Sequence, residues 1–555
     1  MKKILIIQLL CLFALTGNAA DRTSAQMLSL AKQKLSHIDG KSMTRSAKAD
    51  VKCILEKPTL SVYGNDDEFV IISRDDRFQP VLAYGEGAFS LTDMPDGTKW
   101  WMNAIQERLA NYAYSAAPAP SKVAAVSPLL TTKWGQYTPF NNYAPIFKKD
   151  NAKAPAGCIA IAMAQVMNFN QYPASAKFRN YYTISDRTDT TYVDVDRTYQ
   201  WPYKNAYGKY IAEGDSTVSK GSYTPNQGNH VAYLCLDCAC AVAMNYTPGG
   251  SGAHTLDVTM AMIDYFSYPI NTVRYLYRDF YTEQEWMDII YGELQQGYPF
   301  IYSGADAKGN SGHAFVADGV DGEGLLHINW GWSGQLDGYF DFRLLNPDDS
   351  EYSKGQEIVI GIRTKEFEGD KYGSMVGTEK PFILSYDNTT RKMKFEIFSI
   401  SNYGGKPITG NVSILFEHQT NVEYCDTLDF LDRDETLPPY YGWGAGVEEF
   451  EWEFNPGEYK VYLASKDVHE TEWQMGRALN VGAFYYNMTV DAEKNVTIAP
   501  EPVVTAVEPV LFNATDKKQN QFSNRIYDLN GRMVGNSDNT QRKGIYIING
   551  RKVLR

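Results

Sequence analysis

Cys158 follows a glycine and opens the apolar run Ile159-Ala160-Ile161-Ala162-Met163-Ala164-Gln165-Val166-Met167. The run predicts a buried helix with the thiol in its first turn. There the unpaired backbone N–H groups and the positive end of the helix dipole favour a thiolate over a thiol. Such a placement, with a cation nearby, brings a cysteine pKa from about 8.5 down to about 3.5–7.5. That is a nucleophile's environment. Alone, Cys158 reads more readily as a small inert core residue, the commoner fate of a free thiol, so partners must be sought elsewhere in the chain.

An activated thiol needs an imidazole to share its proton and a third group to fix the ring's tautomer and orientation. Gly312-His313-Ala314-Phe315-Val316-Ala317-Asp318-Gly319 predicts a strand opening on a histidine, Asp321-Gly322-Glu323-Gly324 a turn, and Leu325-Leu326-His327-Ile328-Asn329-Trp330-Gly331-Trp332 a second strand. Pairing across that turn sets His313 opposite about Trp330 to Trp332, with Asn329 within a residue or two. Asn329 can accept the other ring N–H, Trp330 can shield that bond or pack on the ring, and the sequence leaves both open. Trp332 has a similar claim to the wall of the site. His327, mid-strand between Leu326 and Ile328, reads as structural. His313 follows the glycine-rich stretch 303–312, which predicts a place on a cleft rim. A tetrahedral oxyanion also needs donors. The Cys158 N–H is one, and the amide of Gln136, in a Trp134-Gly135-Gln136 turn, is a candidate second.

The elements that must hold these groups follow from periodicity. Residues 23–36 predict a helix, and Leu60-Ser61-Val62-Tyr63, Phe69-Val70-Ile71-Ile72-Ser73 and Val81-Leu82-Ala83-Tyr84 a small antiparallel meander. Pro95-Asp96-Gly97 starts a helix through Leu109, and residues 116–121 are a linker by composition. A compact module, an exposed linker and then the nucleophile is the order of a zymogen, and exposed linkers are where proteases cut. The Cys158 helix stops at Tyr172-Pro173, residues 178–210 read as surface loops and short strands, and residues 247–252 as a flexible loop before a helix over 256–266. Thr282-Glu283-Gln284-Glu285 is a capping box heading a helix that ends at Gly297. Alternating strands beyond residue 370 suggest an antiparallel, immunoglobulin-like sandwich. Residues 526–532 and 543–553 form two strand-turn units.

With 555 residues the chain needs several cores. A net charge of −13 argues against a nucleic-acid partner. Residues 1–20 carry Lys2-Lys3, the apolar run from Ile4 to Leu15 and Gly17-Asn18-Ala19-Ala20, the three parts of a secretory signal. That run is too short to span a membrane, and no later segment qualifies. Cys235, Cys238 and Cys240 crowd one apolar run without the spacing of paired metal knuckles, and read as buried; no cofactor or metal is expected.

Taken together, Trp134-Gly135-Gln136, Gly157-Cys158, Tyr172-Pro173, Gly312-His313-Ala314-Phe315 and Asn329-Trp330-Gly331-Trp332 resemble the streptopain family of papain-like cysteine peptidases. The meander over 51–84 resembles that family's inhibitory propeptide, and residues 526–553 resemble the C-terminal sorting domains of Bacteroidetes exported proteins. The resemblance implies an α+β fold: signal peptide 1–20, inhibitory propeptide 21–122, papain-like two-subdomain peptidase 123–365, β-sandwich 370–497 and sorting-like β domain 500–555. It implies Cys158 as nucleophile, His313 as general base and acid, Gln136 in the oxyanion hole and Trp330 beside the histidine, with Asn329 the alternative orienting group. Gly250, Ser251, Gly312 and Trp332 are the implied substrate-binding residues, with a hydrophobic side chain two positions before the scissile bond. Expected partners are protein or peptide substrates, the chain's own propeptide and an outer-membrane secretion machinery, with location outside the cell or on its surface.

Overall fold

The computed structural model describes residues 21–36, 51–92, 94–111, 122–201, 224–305, 312–345, 355–364, 372–418, 425–431, 435–505, 525–528, 533–536, 545–548 and 551–554. The expected signal sequence and the linker over 116–121 lie outside them. Two compact units emerge. One is built on the residues up to Phe89; the other takes Ser90–Asn111 and everything from Ser121 onward. The helix after Pro95 thus groups with the segment that carries Cys158 rather than with the meander that precedes it.

In the first unit, helix α1 (Ser24–Leu35) is closed by a full capping box from Thr23 and Gln26 and buries Met27, Ala31 and Leu35. That spacing is one helical face. It lies against the antiparallel meander of β1 (Lys52–Glu56), β2 (Leu60–Gly64), β3 (Glu68–Ser73) and β4 (Val81–Glu86). Strands β2 and β3 are buried along their whole length, as in a strand covered on both faces.

The second unit opens with α2 (Asp96–Asn111) and α3 (Cys158–Asn170). Ten residues of α3 are buried, because its apolar run has no polar face to offer water. A hairpin of β5 (Ser175–Ile184) and β6 (Thr191–Thr198) follows, its strands longer than the short ones expected there among surface loops. Next come α4 (Pro225–Ala241), β7 (Asn245–Tyr246) and α5 (Thr255–Met260). Cys235, Cys238 and Cys240 are buried on α4 as read, and burial raises all three thiols, that of Cys240 to about 12. The remaining elements are β8 (Arg274–Tyr277), α6 (Glu283–Gln295), β9 (Phe300–Ala305), β10 (Gly312–Val320), β11 (Leu326–Asn329), β12 (Gly338–Phe340) and β13 (Glu357–Ile360). The sheet runs β12-β11-β10-β9-β13-β8. Helix α3 is held between α4 and this sheet, its core shared with Leu234 and Cys238 on one side and Ile301, Val316 and Val359 on the other.

Beyond residue 372 the same unit continues as two facing β layers. Strands over 383–387, 392–397 and 446–451 form one. The long strands Ile408–His418, Gly457–Asp467 and Gly482–Val490 centre the other. Phe382, Met393 and Phe395 meet Ile414, Val461 and Phe484 in its core. The strand over 376–378 pairs in parallel with that over 477–478, a departure from the all-antiparallel expectation. The strand-turn units near the C-terminus form antiparallel pairs, 525–528 with 533–536 and 545–548 with 551–554.

The sandwich is bolted to the part of the unit that precedes it. Arg477 donates through Nη1 and Nη2 to Glu285 Oε1 (3.1 Å each) and through Nη1 to the Phe280 carbonyl (3.1 Å), and stacks 4.1 Å over the Tyr281 ring. Glu285 meanwhile closes the expected capping box with Thr282. Lys406 Nζ reaches the Ile270 carbonyl (2.9 Å), and the hydroxyls of Tyr275 and Tyr440 meet at 3.0 Å.

Candidate active site

Gly157 carries φ +100°, and a Cβ there would meet Met244 Cε at 2.6 Å. Only glycine turns the chain this tightly into α3. No side chain caps the helix, so its first amides stay open around Cys158. The thiol is half-buried. Burial pushes it up, but the hydrogen bond and positive charge of His313 and the backbone bonds from Ala314 and Ile159 outweigh burial, leaving it below its ordinary 9.0. His313 mirrors this. Burial pushes the imidazole down, while the Cys158 bond and charge, the Trp330 carbonyl and the charge of Asp96 raise it above 6.5. Opposed shifts of this kind describe a thiolate–imidazolium pair.

The hairpin register is as expected near its open end, with Val316 opposite Asn329 and Ala317 opposite Ile328. The ladder stops there, three residues short of His313. The ring then reaches Trp330 through Nε2, 2.9 Å from that residue's carbonyl oxygen. A carbonyl only accepts, so Nε2 carries a proton and Nδ1 is left for the thiol. The question left between Asn329 and Trp330 falls to the main chain of Trp330. Its indole is fully buried and donates to the Leu336 carbonyl at 3.0 Å.

Asn329 does not bond the imidazole, because its amide is committed elsewhere. Oδ1 accepts from Gln165 Nε2 (3.0 Å) and from the Gly331 N–H (3.1 Å), while Nδ2 donates to the Thr132 carbonyl (2.8 Å). Gln165 lies two helical turns after Cys158 on the same face of α3. The Asn329–Gln165 bond therefore registers the histidine-bearing hairpin against the cysteine-bearing helix. The signal in the sequence is a glutamine inside the apolar run from Ile159 to Met167.

Gln136 is buried beside the helix start. Its Oε1 accepts from the Gly157 N–H (3.0 Å), its Nε2 donates to the Gly331 carbonyl (3.2 Å), and its own carbonyl takes the Ala156 N–H (2.9 Å). One amide proton of Nε2 remains for a ligand. Ser251 Oγ donates to the Pro155 carbonyl (2.9 Å), and the Ser251 carbonyl lies 3.4 Å from where a Gly157 Cβ would sit, which brings residues 249–252 to the helix start. Around Gly250 a Cβ would meet open space, though its φ of +154° suits only glycine. Gly312 is exposed at the start of β10. Trp332, half-buried, stands edge-on to Tyr137 and 6.3 Å from the His313 ring. His327 is structural as read, 2.6 Å from Asp318 Oδ1 through Nδ1.

One expectation needs correcting. His313 is not on an open rim but 6% exposed, because the start of α2 sits on it. A Cβ on Gly97 would lie 2.5 Å from both His313 Cδ2 and Trp330 Cε3. Trp100 and Trp101 anchor the helix, donating to the Ala305 (3.3 Å) and Asp341 (3.1 Å) carbonyls, and Gly304 gives Trp100 the room it needs.

The site's parts can be compared with known proteins. Residues 134–340 match the Peptidase C10 family and residues 15–109 the Spi protease inhibitor. A fragment of prointerpain A from Prevotella intermedia is 34% identical, is covered over 99% of its length by 57% of this chain, and superposes with a TM-score of 0.50. The chain belongs to the Peptidase C10 family. Its class is that of cysteine peptidases, and the α+β, papain-like division into helical and sheet halves holds. Among curated relatives, the thiol protease/hemagglutinin PrtT of Porphyromonas gingivalis is 32% identical over 327 residues, 54% of this chain. Streptopain of Streptococcus pyogenes is 29% identical over 324 residues, 53% of this chain and 78% of its own length. The chain spans only about a third of PrtT, 36% of its length. In this C10 chain Cys158 and His313 come from opposite halves, Cys158 from α3 and His313 from β10.

Proposed function

We propose that the chain is a cysteine endopeptidase made as a zymogen, exported, and active on protein substrates. The observation that carries this reading is the Cys158–His313 pair, whose pKa shifts run in opposite directions while His313 Nε2 is tied to the Trp330 carbonyl. In the reaction the Cys158 thiolate attacks the scissile carbonyl, and the oxyanion is met by the Cys158 N–H and the free proton of Gln136 Nε2. Preformed donors of this kind are worth about 10²–10³ in rate each. His313 gives its Nδ1 proton to the leaving amine, then takes one from the water that hydrolyses the thioester. Asn329 serves as a positioning group through Gln165 and Gly331. Gly250, Ser251, Gly312 and Trp332 line the substrate cleft, with the loop over 249–252 receiving a hydrophobic residue two positions before the scissile bond.

Latency resides in the segment before residue 123. Helix α2 covers the histidine, and its anchors Trp100 and Trp101 are what activation must dislodge. Residues 1–20 direct export, and the terminal β units over 525–554 engage an outer-membrane secretion machinery, delivering the enzyme outside the cell or to its surface. No helix among the described residues is long and apolar enough to cross a membrane.

The test is to incubate the purified full chain under reducing conditions, with and without Cys158→Ala, and to sequence the new N-termini. New N-termini between about residues 114 and 130 are expected, along with casein hydrolysis, with both absent from the variant. Normal self-processing by the Cys158→Ala chain would overturn the reading.

A further inference from the structure

The segment from Trp330 to Asp337 closes on itself. The Trp330 N–H donates to Asp337 Oδ1 at 2.9 Å, and its indole to the Leu336 carbonyl at 3.0 Å. The Gln335 N–H reaches the Trp332 carbonyl (3.1 Å), and the Ser333 N–H the Trp134 carbonyl (3.0 Å). Four residues of the segment have positive φ: Gly331 at +70°, Ser333 at +58°, Gly334 at +80° and Leu336 at +57°. Two of these carry side chains, for which the left-handed region is unfavourable. A backbone so bent persists where its surroundings over-determine it, and such strain gathers at functional sites. Here the over-determination converges on one residue, Trp330, whose carbonyl is the acceptor of His313 Nε2.

Asp337 is the buried charge in that arrangement, 8% exposed, at the entry to β12. Strand β12 pairs with β11, so Asp337 lies beside the end of the strand that carries Asn329. Burial pushes its carboxyl up to about 6, against the lowering influence of the Trp330 N–H, His327 and Lys133, while Asp318 raises it further. Above that pH it is a charged acceptor, which forms a shorter and stronger bond than a neutral one.

We propose that Asp337 is a positioning residue for the histidine: by holding the Trp330 N–H it fixes the carbonyl of the same residue in line with His313 Nε2. Two clamps then act on either side of that carbonyl. Asn329 Oδ1 holds the Gly331 N–H, which belongs to the same peptide unit as the Trp330 carbonyl, and Asp337 holds the unit before it. Without Asp337 the Trp330 N–H is left buried and unpaired, the turn relaxes, and the imidazolium loses its acceptor. This inference rests on the peptidase reading for its activity readout but not for its thiol readout.

The test uses the activated full chain carrying Asp337→Ala or Asp337→Asn. It measures kcat, KM and the pH profile of Cys158 alkylation by iodoacetamide. Asn keeps an acceptor oxygen at the same reach and cannot ionise. For Asp337→Ala, kcat per titrated site falls by about tenfold or more with KM within about threefold, the pattern of a lost transition-state interaction. Its alkylation midpoint moves to higher pH, because a less firmly held imidazolium supports the thiolate less. Asp337→Asn stays within about threefold of the parent in kcat and loses any step near pH 6 on the acid limb. If alanine lowers thermal stability yet leaves kcat and the alkylation profile unchanged, Asp337 is merely structural and the proposal falls. It falls equally if asparagine is as damaging as alanine. Should the alanine chain fail to fold, the asparagine variant's acid limb decides: an unchanged step near pH 6 refutes the assignment. Alkylation profiles that separate as expected in chains that cleave no casein would sink the peptidase reading and leave Asp337 in place.

Discussion

Replacing Gln136 by alanine separates a catalytic amide from a structural one. The side chain makes two buried bonds, accepting from the Gly157 N–H at 3.0 Å and donating to the Gly331 carbonyl at 3.2 Å. Losing both strands two backbone groups; at about 1–3 kcal/mol for each unsatisfied group, stability falls by about 2–6 kcal/mol, less where water enters the space. The rate effect is separate. One of two oxyanion donors disappears, so kcat falls by about 10²–10³, or about 2.7–4 kcal/mol of transition-state stabilisation, with KM little changed. Urea unfolding reads the first quantity, and steady-state peptide hydrolysis, normalised to sites titrated by an irreversible thiol reagent, reads the second. Gln136→Glu makes the contrast sharper, since it keeps an oxygen for the Gly157 N–H but has no proton to give. A Gln136→Ala enzyme within about tenfold of the parent kcat at full site titration would refute the oxyanion assignment.

The remaining predictions concern charge and packing. Because the Cys158 thiol is lowered and the His313 imidazole raised, alkylation of the parent enzyme should extend to lower pH than that of an ordinary thiol, and His313→Ala should return the midpoint towards an ordinary thiol. Arg477→Met leaves the Glu285 carboxylate facing a buried apolar partner and should cost about 3–5 kcal/mol by denaturant unfolding, much more than its conversion together with Glu285→Gln. Trp101 is fully buried and donates to the Asp341 carbonyl, so Trp101→Ala should cost the α2 contact about 3–5 kcal/mol and shorten the lag before self-processing, read by gel over time.

The Thr282 capping box, the apolar run after Cys158 and the open end of the β10–β11 register all follow from spacing a few residues wide, and the structure agrees with each. What failed depends on distance. The glycine-rich approach to His313 suggests a rim, but the burial of its ring comes from Gly97, more than 200 residues earlier, at the start of α2. Asn329 was a fair candidate to hold the ring, since asparagine offers the right atoms. Its amide is instead consumed by Gln165 and Thr132, partners that only the packed helix and strand bring near. The orienting acceptor is a backbone carbonyl, which no side-chain motif can announce.

The bolt between sandwich and catalytic half has a consequence for how the enzyme can be trimmed. Arg477, Lys406 and Tyr440 fill surface that Glu285, Phe280, Ile270 and Tyr275 would otherwise show to water. A protease that severed the chain near residue 370 would thus not free two self-sufficient parts. The fragments would remain clasped as a nicked whole, and prising them apart would uncover a buried carboxyl side chain at the head of α6 and an aromatic floor beside it. Shortening the polypeptide to its minimal catalytic core is then a redesign of that surface rather than a deletion.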